Sequence, residues 1–205
     1  ILGDSGEIVY SAAGTLSTVT ATAIGTGGVD TILAGNGTNT IMAGSGKDSI
    51  TAGSNSTSIN VVLGDNGAVV YDIKGQVQTV TTTDAIAVTG DGGGDDTLTP
   101  GGVYNIVAGG MGNDTITTGN ATVNSTNTIL GDNGVITWDV TGTRYLKEMK
   151  STYTDLGGND VITTGNGSNE IIGGIGVDGI TAGDGINVIL GDSGEIVYSA
   201  AGTLS

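Results

Sequence analysis

The chain has no cysteine, no histidine and no phenylalanine, and it carries one proline and one tryptophan, Trp138. Without cysteine or histidine there is no disulfide framework, no zinc centre and no histidine-based catalytic triad. Aromatic residues make up 3% of the chain. That is too few for a thick core, so any core has to be thin, aliphatic and repeated. Basic residues are also scarce: 5 Lys and Arg against 21 Asp and Glu give a net charge of −16. Such a balance repels nucleic acid and anionic membrane surfaces. No apolar run approaches the roughly 18 residues needed to cross a bilayer, and neither end reads as a signal peptide. Neither a nucleic-acid partner nor membrane insertion is expected.

What the chain does have is glycine, 40 residues of 205, without a collagen triplet. Its backbone must therefore turn repeatedly. A hydrophobic fraction of 37%, regularly spaced, argues against disorder. Most of the acids are Asp, whose short side chain suits tight turns and oxygen-ligated metals.

The spacing is repetitive on three scales. Residues 1–17 (ILGDSGEIVYSAAGTLS) recur unchanged as residues 189–205, offset by 188. A sequence holding the same segment twice is expected to come from a longer array of the 188-residue unit. Within that unit, Leu-Gly-Asp-(Ser/Asn)-Gly starts at Leu2, Leu63, Leu130 and Leu190, each followed eight residues later by an aromatic: Tyr10, Tyr71, Trp138 and Tyr198. The chain thus divides into modules 1–61, 62–128 and 129–188, with 189–205 opening the next unit. Each module contains nonapeptides. Their sixth positions are Asp30, Asn39, Asp48 and Asn60; then Asp96, Asn105, Asp114 and Asn127; then Asp160, Asn169, Asp178 and Asn187. Their eighth positions are apolar: Ile32, Ile41, Ile50 and Val62; Leu98, Val107, Ile116 and Ile129; Ile162, Ile171, Ile180 and Ile189. Polar insertions around Ser54–Ser58 and Asn120–Ser125 read as loops.

Six residues of glycine-rich turn and three of strand make half a turn of a flattened coil, so residues 18 apart stack. The predicted fold is all-β: a parallel β-solenoid, or β-roll, with the eighth-position ladder as its core. Asp30, Asp48, Asp96, Asp114, Asp160 and Asp178 then share one edge and the Asn series the other. Stacked carboxylates are costly unless a cation sits between turns, and calcium, a hard ion taking six to eight oxygens at about 2.3–2.6 Å, fits. The Asn edge can hydrogen-bond as a ladder without metal, so calcium is expected mainly on the Asp edge.

The pattern Gly-Gly-x-Gly-x-Asp-x-apolar-x stands at Gly109–Thr117 and Gly173–Thr181, and with Ala for the first Gly at Ala43–Thr51. It resembles the repeats of RTX-type β-rolls, found in large proteins exported by type I secretion, over about 110 of the 205 residues. The resemblance implies calcium held by the sixth-position Asp and turn carbonyls, with folding outside the cell. Asn in every second nonapeptide departs from that pattern and leaves fewer sites. In Leu-Gly-Asp-x-Gly the acid is displaced; Asp4, Asp65, Asp132 and Asp192 either close the last calcium site of each module or simply make a tight turn.

After each such motif, Glu7–Tyr10 with Leu16–Thr22, Ala68–Tyr71 with Gln76–Thr82, and Val135–Trp138 with Arg144 onward read as β-hairpins, turning at Gly14, Gly75 and Gly142. The aromatic of each is expected to pack its hairpin on the flank of the coil. Arg144–Tyr153 holds three of the five basic residues and reads as a solvated hairpin or an assembly contact. The acids recur with the repeat, as scaffold positions do, so no enzyme is expected. Thr20/Thr22, Thr79/Thr81 and Thr115/Thr117 suggest the threonine arrays of ice-binding solenoids, but they fall at different places in the three modules and read as ordinary strand residues. The expected role is a calcium-stabilised structural unit of an extracellular fibre or adhesin stalk, partnered by copies of itself. The alternatives are a surface-binding face, or a secretion domain beside a toxin or enzyme.

Overall fold

The computed structural model describes residues 1–22, 25–83, 93–119 and 125–205. Most of the loop expected at 120–125 lies outside the described residues. Among the described residues there is no helix; nineteen strands form three sheets.

The nonapeptides alternate between two parallel sheets. The outer sheet contains, in spatial order, β3 (Thr31–Ala34), β5 (Ser49–Ala52), β9 (Thr97–Pro100), β11 (Thr115–Thr118), β15 (Val161–Thr164) and β17 (Gly179–Thr181). The central sheet contains β4 (Thr38–Met42), β6 (Ile59–Leu63), β10 (Tyr104–Gly110), β12 (Ser125–Asp132), β16 (Gly167–Gly174) and β18 (Gly185–Asp192). Outer strands alternate a buried aliphatic with outward residues that are mostly Thr or Ser, so a one-residue slip would turn hydroxyls inward and expose the core. Register follows: Ile32, Ile50, Leu98, Ile116, Ile162 and Ile180 stack in one file. Ile41, Val62, Val107, Ile129, Ile171 and Ile189 stack in the facing one. All but Ile180 and Ile189, in the last turn, are buried, and together they form the layer between the two sheets.

The hairpins do more than lie on a flank. β1 (Gly6–Tyr10), β2 (Leu16–Ala21), β7 (Gly67–Tyr71), β8 (Val77–Thr82), β13 (Gly134–Asp139), β14 (Tyr145–Ser151) and β19 (Glu195–Val197) pair in that order as one antiparallel sheet. Each hairpin thereby covers its neighbour's edge and leaves few backbone groups unpaired. This third sheet packs on the other face of the central one through a second apolar layer that includes Val61, Leu63, Val69, Val80, Ile106, Ile136, Trp138 and Met149. Central strands are buried on both faces, and runs such as Asn60-Val61-Val62-Leu63 and Ile171-Ile172 carry that signature.

Trp138 is buried, and Tyr71 and Tyr198 pack half-buried against the same layer, while Tyr10 is 61% exposed. The Arg144 side chain folds inward: its guanidinium lies 4.7 Å from the Trp138 ring centre and 5.5 Å from that of Tyr104. It also donates to the Tyr104 hydroxyl at 2.8 Å. The cation therefore seals the seam between central and hairpin sheets by stacking on aromatic faces.

Candidate metal-binding edge

The chain passes between outer and central sheets at two edges. The Asp of each odd nonapeptide stands just before an outer strand. Across the stack, the Asp30 amide donates to Asp48 Oδ1 (2.7 Å), Asp48 to Asp96 (2.7 Å), Asp96 to Asp114 (2.8 Å), Asp114 to Asp160 (2.8 Å) and Asp160 to Asp178 (2.9 Å). All six predicted residues thus share one file, continuous across module boundaries. The ladder engages Oδ1 of Asp48, Asp96, Asp114, Asp160 and Asp178. Oδ2 of Asp30, Asp48, Asp114, Asp160 and Asp178 is buried and has no hydrogen-bond partner.

These oxygens face glycines. A Cβ on Gly3 would run into Asp30 Oδ2 and the Ala43 carbonyl; on Gly131, into Asp160 Oδ2 and the Gly173 carbonyl; on Gly173, into Asp178 Oδ2 and the Gly191 carbonyl. A carboxylate oxygen and a carbonyl oxygen converge there with room only for a CαH2 group. Two residues before the ladder acids, glycines stack the same way: Gly46 against the Gly28 carbonyl, Gly94 against Gly46, Gly112 against Gly94 and Gly158 against Gly112. The edge is therefore a double file of oxygens.

The acids of Leu-Gly-Asp-x-Gly take another place. Asp4 accepts the Ser45 amide at 2.9 Å. Asp65 accepts those of Gly94 (3.3 Å) and Met111 (2.6 Å), and Asp132 those of Gly158 (2.9 Å) and Ile175 (2.5 Å). Each reaches forward into the glycine turns of its own module and, in the second and third, clamps two of them. Asp192, in the last turn, is exposed. Sequence spacing did not disclose this clamp, because its partners are backbone amides up to 46 residues away.

Burial pushes the Asp132 and Asp160 carboxyls up to about 7 and Asp48 up to about 6, and raises Asp114 and Asp178. Backbone amides pull against that rise, while neighbouring acids add to it: Asp30 acts on Asp48, Asp96 on Asp114 and Asp132 on Asp160. Among the described residues the ion pairs are Lys47–Asp95 at 3.8 Å and Lys150–Glu148 at 2.7 Å, and neither involves a ladder acid. A buried carboxylate with one oxygen unpartnered needs either a proton or a cation. Among the described residues no three acidic side chains converge on one point. The fitting donor set is therefore one carboxylate with several turn carbonyls, and oxygens of both kinds suit a hard divalent ion.

The opposite edge is self-sufficient. Asn39 Nδ2 donates to Asn60 Oδ1, and the file continues through Asn105, Asn127 and Asn169 to Asn187 at 2.7–2.9 Å. The second Nδ2 hydrogen goes to a turn carbonyl, as from Asn105 to Gly102 (2.9 Å), or at Asn127 to the Ser125 hydroxyl (2.8 Å). Amides serve as both donor and acceptor, which carboxylates cannot do; the two edges differ for that reason. Comparison of the chain with protein-family models, with curated proteins and with solved structures returned no match.

Proposed function

We propose that the chain is a calcium-locked β-solenoid serving as a structural unit of a long extracellular fibre or adhesin stalk. The observation that carries the reading is the file of buried carboxylates, each with Oδ2 unpartnered at Asp30, Asp48, Asp114, Asp160 and Asp178, in a chain of net charge −16. In low calcium, repulsion along the file opposes the coil and shifts the chain towards its expanded state. When bound, calcium supplies the positive charge between turns. Asp30, Asp48, Asp96, Asp114, Asp160 and Asp178 would hold it together with turn carbonyls, while Asp4, Asp65 and Asp132 brace the turns. Ligand binding confined to the folded state stabilises that state, and affinities of about 10⁻⁴–10⁻³ M match extracellular modules. A titration followed by circular dichroism tests this. Strand signal is expected to rise cooperatively at millimolar calcium, with magnesium failing to substitute; a chain fully folded in chelator and indifferent to calcium would refute it.

One observation favours a second reading, a binding face. On the exposed side of the outer sheet, Thr51, Thr99, Thr117, Thr163 and Thr181 follow Leu33 in register, and Thr31, Ser49, Thr97 and Thr115 form a parallel file. The threonine array therefore exists, but only Thr115 and Thr117 of the predicted pairs belong to it. Its hydroxyls repeat about every 4.8 Å along a file, with files about 6.8 Å apart. Thermal hysteresis in cooled solution would support an ordered-water ligand; its absence would leave this face as ordinary exposed strand.

A further inference from the structure

The chain carries the same 17 residues twice, and the fold shows the two copies from opposite sides. At residues 1–4 the segment pairs forward: Leu2 bridges Met42 in parallel, Gly3 donates to the Met42 carbonyl and Asp4 to the Ala43 carbonyl, both at 3.0 Å. At residues 189–192 it pairs backward, Ile189 with Ile171 and Leu190 with Ile172. Inside the chain the equivalent segment does both. β6 pairs backward with β4 and forward with β10, Gly64 donating to Ala108 and Asp65 to Gly109.

The vacant side of the C-terminal copy is cut to the same pattern. Gly3, Gly64 and Gly131 each lie against a ladder Asp Oδ2 and a turn carbonyl of the following turn, whereas a Cβ on Gly191 would meet nothing within 4 Å. Asp4, Asp65 and Asp132 hold amides of that following turn, and Asp192 is exposed. The ladders stop there too: the Asp178 amide and the Asn187 Nδ2 group are the next donors in files that restart at Asp30 and Asn39.

We infer that a second copy of this chain continues the first at Gly191 and Asp192, one 17-residue segment serving as the end of one unit and the start of the next. Resting on the solenoid reading, the inference adds the partner and its register. Asp30 and Ala43 of the second copy fill the space beside Gly191, and its Ser45 amide meets Asp192. The three sheets permit this because they advance together. Between one copy of the segment and the next, the outer, central and hairpin sheets each gain six strands, so every layer rises about 29 Å per unit. In the hairpin sheet β19 repeats β1, and two identical strands side by side would run parallel in an antiparallel sheet. Between separate chains, residues 189–205 of one must therefore replace residues 1–17 of the other.

Cysteines at Thr38 and Ile186 test the junction at saturating calcium. Both are exposed, on strands at opposite ends of the central sheet. In the inferred register they become neighbours only between chains. Mixing full-length T38C with full-length I186C under mild oxidation is expected to give a mixed disulfide dimer in at least tenfold excess over the corresponding mixture in which the I186C chain also carries Gly191→Ala. The alanine has open space within its own chain but its methyl would strike Asp30 and Ala43 of the partner. Circular dichroism of each variant reports the fold separately. Folded, calcium-responsive chains that give no mixed dimer, or give it equally with G191A, would overturn the junction and leave the calcium reading standing. Chains that do not respond to calcium yet still cross-link in this register would do the reverse.

Discussion

At the residue scale, the difference between the two edges comes down to one atom. Asn and Asp occupy the same nonapeptide position, but only the amide can both give and accept, so the Asn file closes on itself while Oδ2 of Asp30, Asp48, Asp114, Asp160 and Asp178 is left without a partner. Unfolded aspartate titrates near 3.8, whereas burial raises Asp48 to about 6 and Asp132 and Asp160 to about 7. The folded state therefore holds more protons between those values. In chelator, the contribution of these groups to stability is greatest below pH 4 and is lost as pH rises through 6–7. Between pH 4.5 and 8 the melting temperature in chelator should fall by at least about 3 °C, corresponding to about 1 kcal/mol, and calcium should restore it most at pH 8. Asp114→Asn removes a buried charge while keeping an acceptor for the Asp96 amide. At pH 8 it should raise the melting temperature in chelator by about 3–10 °C, as relief of about 1–3 kcal/mol implies, and shrink the gain on adding calcium. Scanning calorimetry checks both; a lower melting temperature in chelator for D114N would show that the Asp file needs its charge for reasons unrelated to a cation.

At the element scale, the parallel strands were legible and the third layer only in part. The eighth-position aliphatics announce themselves by the nine-residue period, and each of those predicted for the core stands in one of two facing files. The hairpins were also readable from their turn glycines. Their union into one sheet was not, because the pairings β2–β7, β8–β13 and β14–β19 join segments from neighbouring modules. The doubled apolar runs of the central strands were the available sign. Arg144 was misread for the same reason: its aromatic partners Tyr104 and Trp138 lie on different sheets, so a charge-rich stretch looked solvated. Removing the Trp138 side chain from the layer it fills should cost about 3–5 kcal/mol. Arg144→Ala should cost about 1 kcal/mol, the scale of a cation stacked on aromatic rings. Denaturant unfolding in calcium measures both, and equal, small losses would mean that the hairpin sheet adds little to stability.

At the scale of the whole molecule, sheets of six, six and seven strands share two apolar layers and one acidic edge. Neighbouring turns supply nearly every contact, as expected of a quasi-one-dimensional protein. The candidate site was legible because it repeats: Asp30, Asp48, Asp96, Asp114, Asp160 and Asp178 fall in the predicted file. The forward reach of Asp4, Asp65 and Asp132 was hidden, since its partners are amides that no side-chain pattern marks. The central claim is that cations lie between successive turns on the Asp edge and not on the Asn edge. An anomalous difference map from crystals of the full chain grown in calcium tests it most directly. The account predicts peaks beside Oδ2 of Asp48, Asp114 and Asp160, within about 2.3–2.6 Å of carboxylate and turn carbonyl oxygens, and none along Asn60, Asn105 and Asn127. A folded chain with no peak on the Asp edge would contradict it.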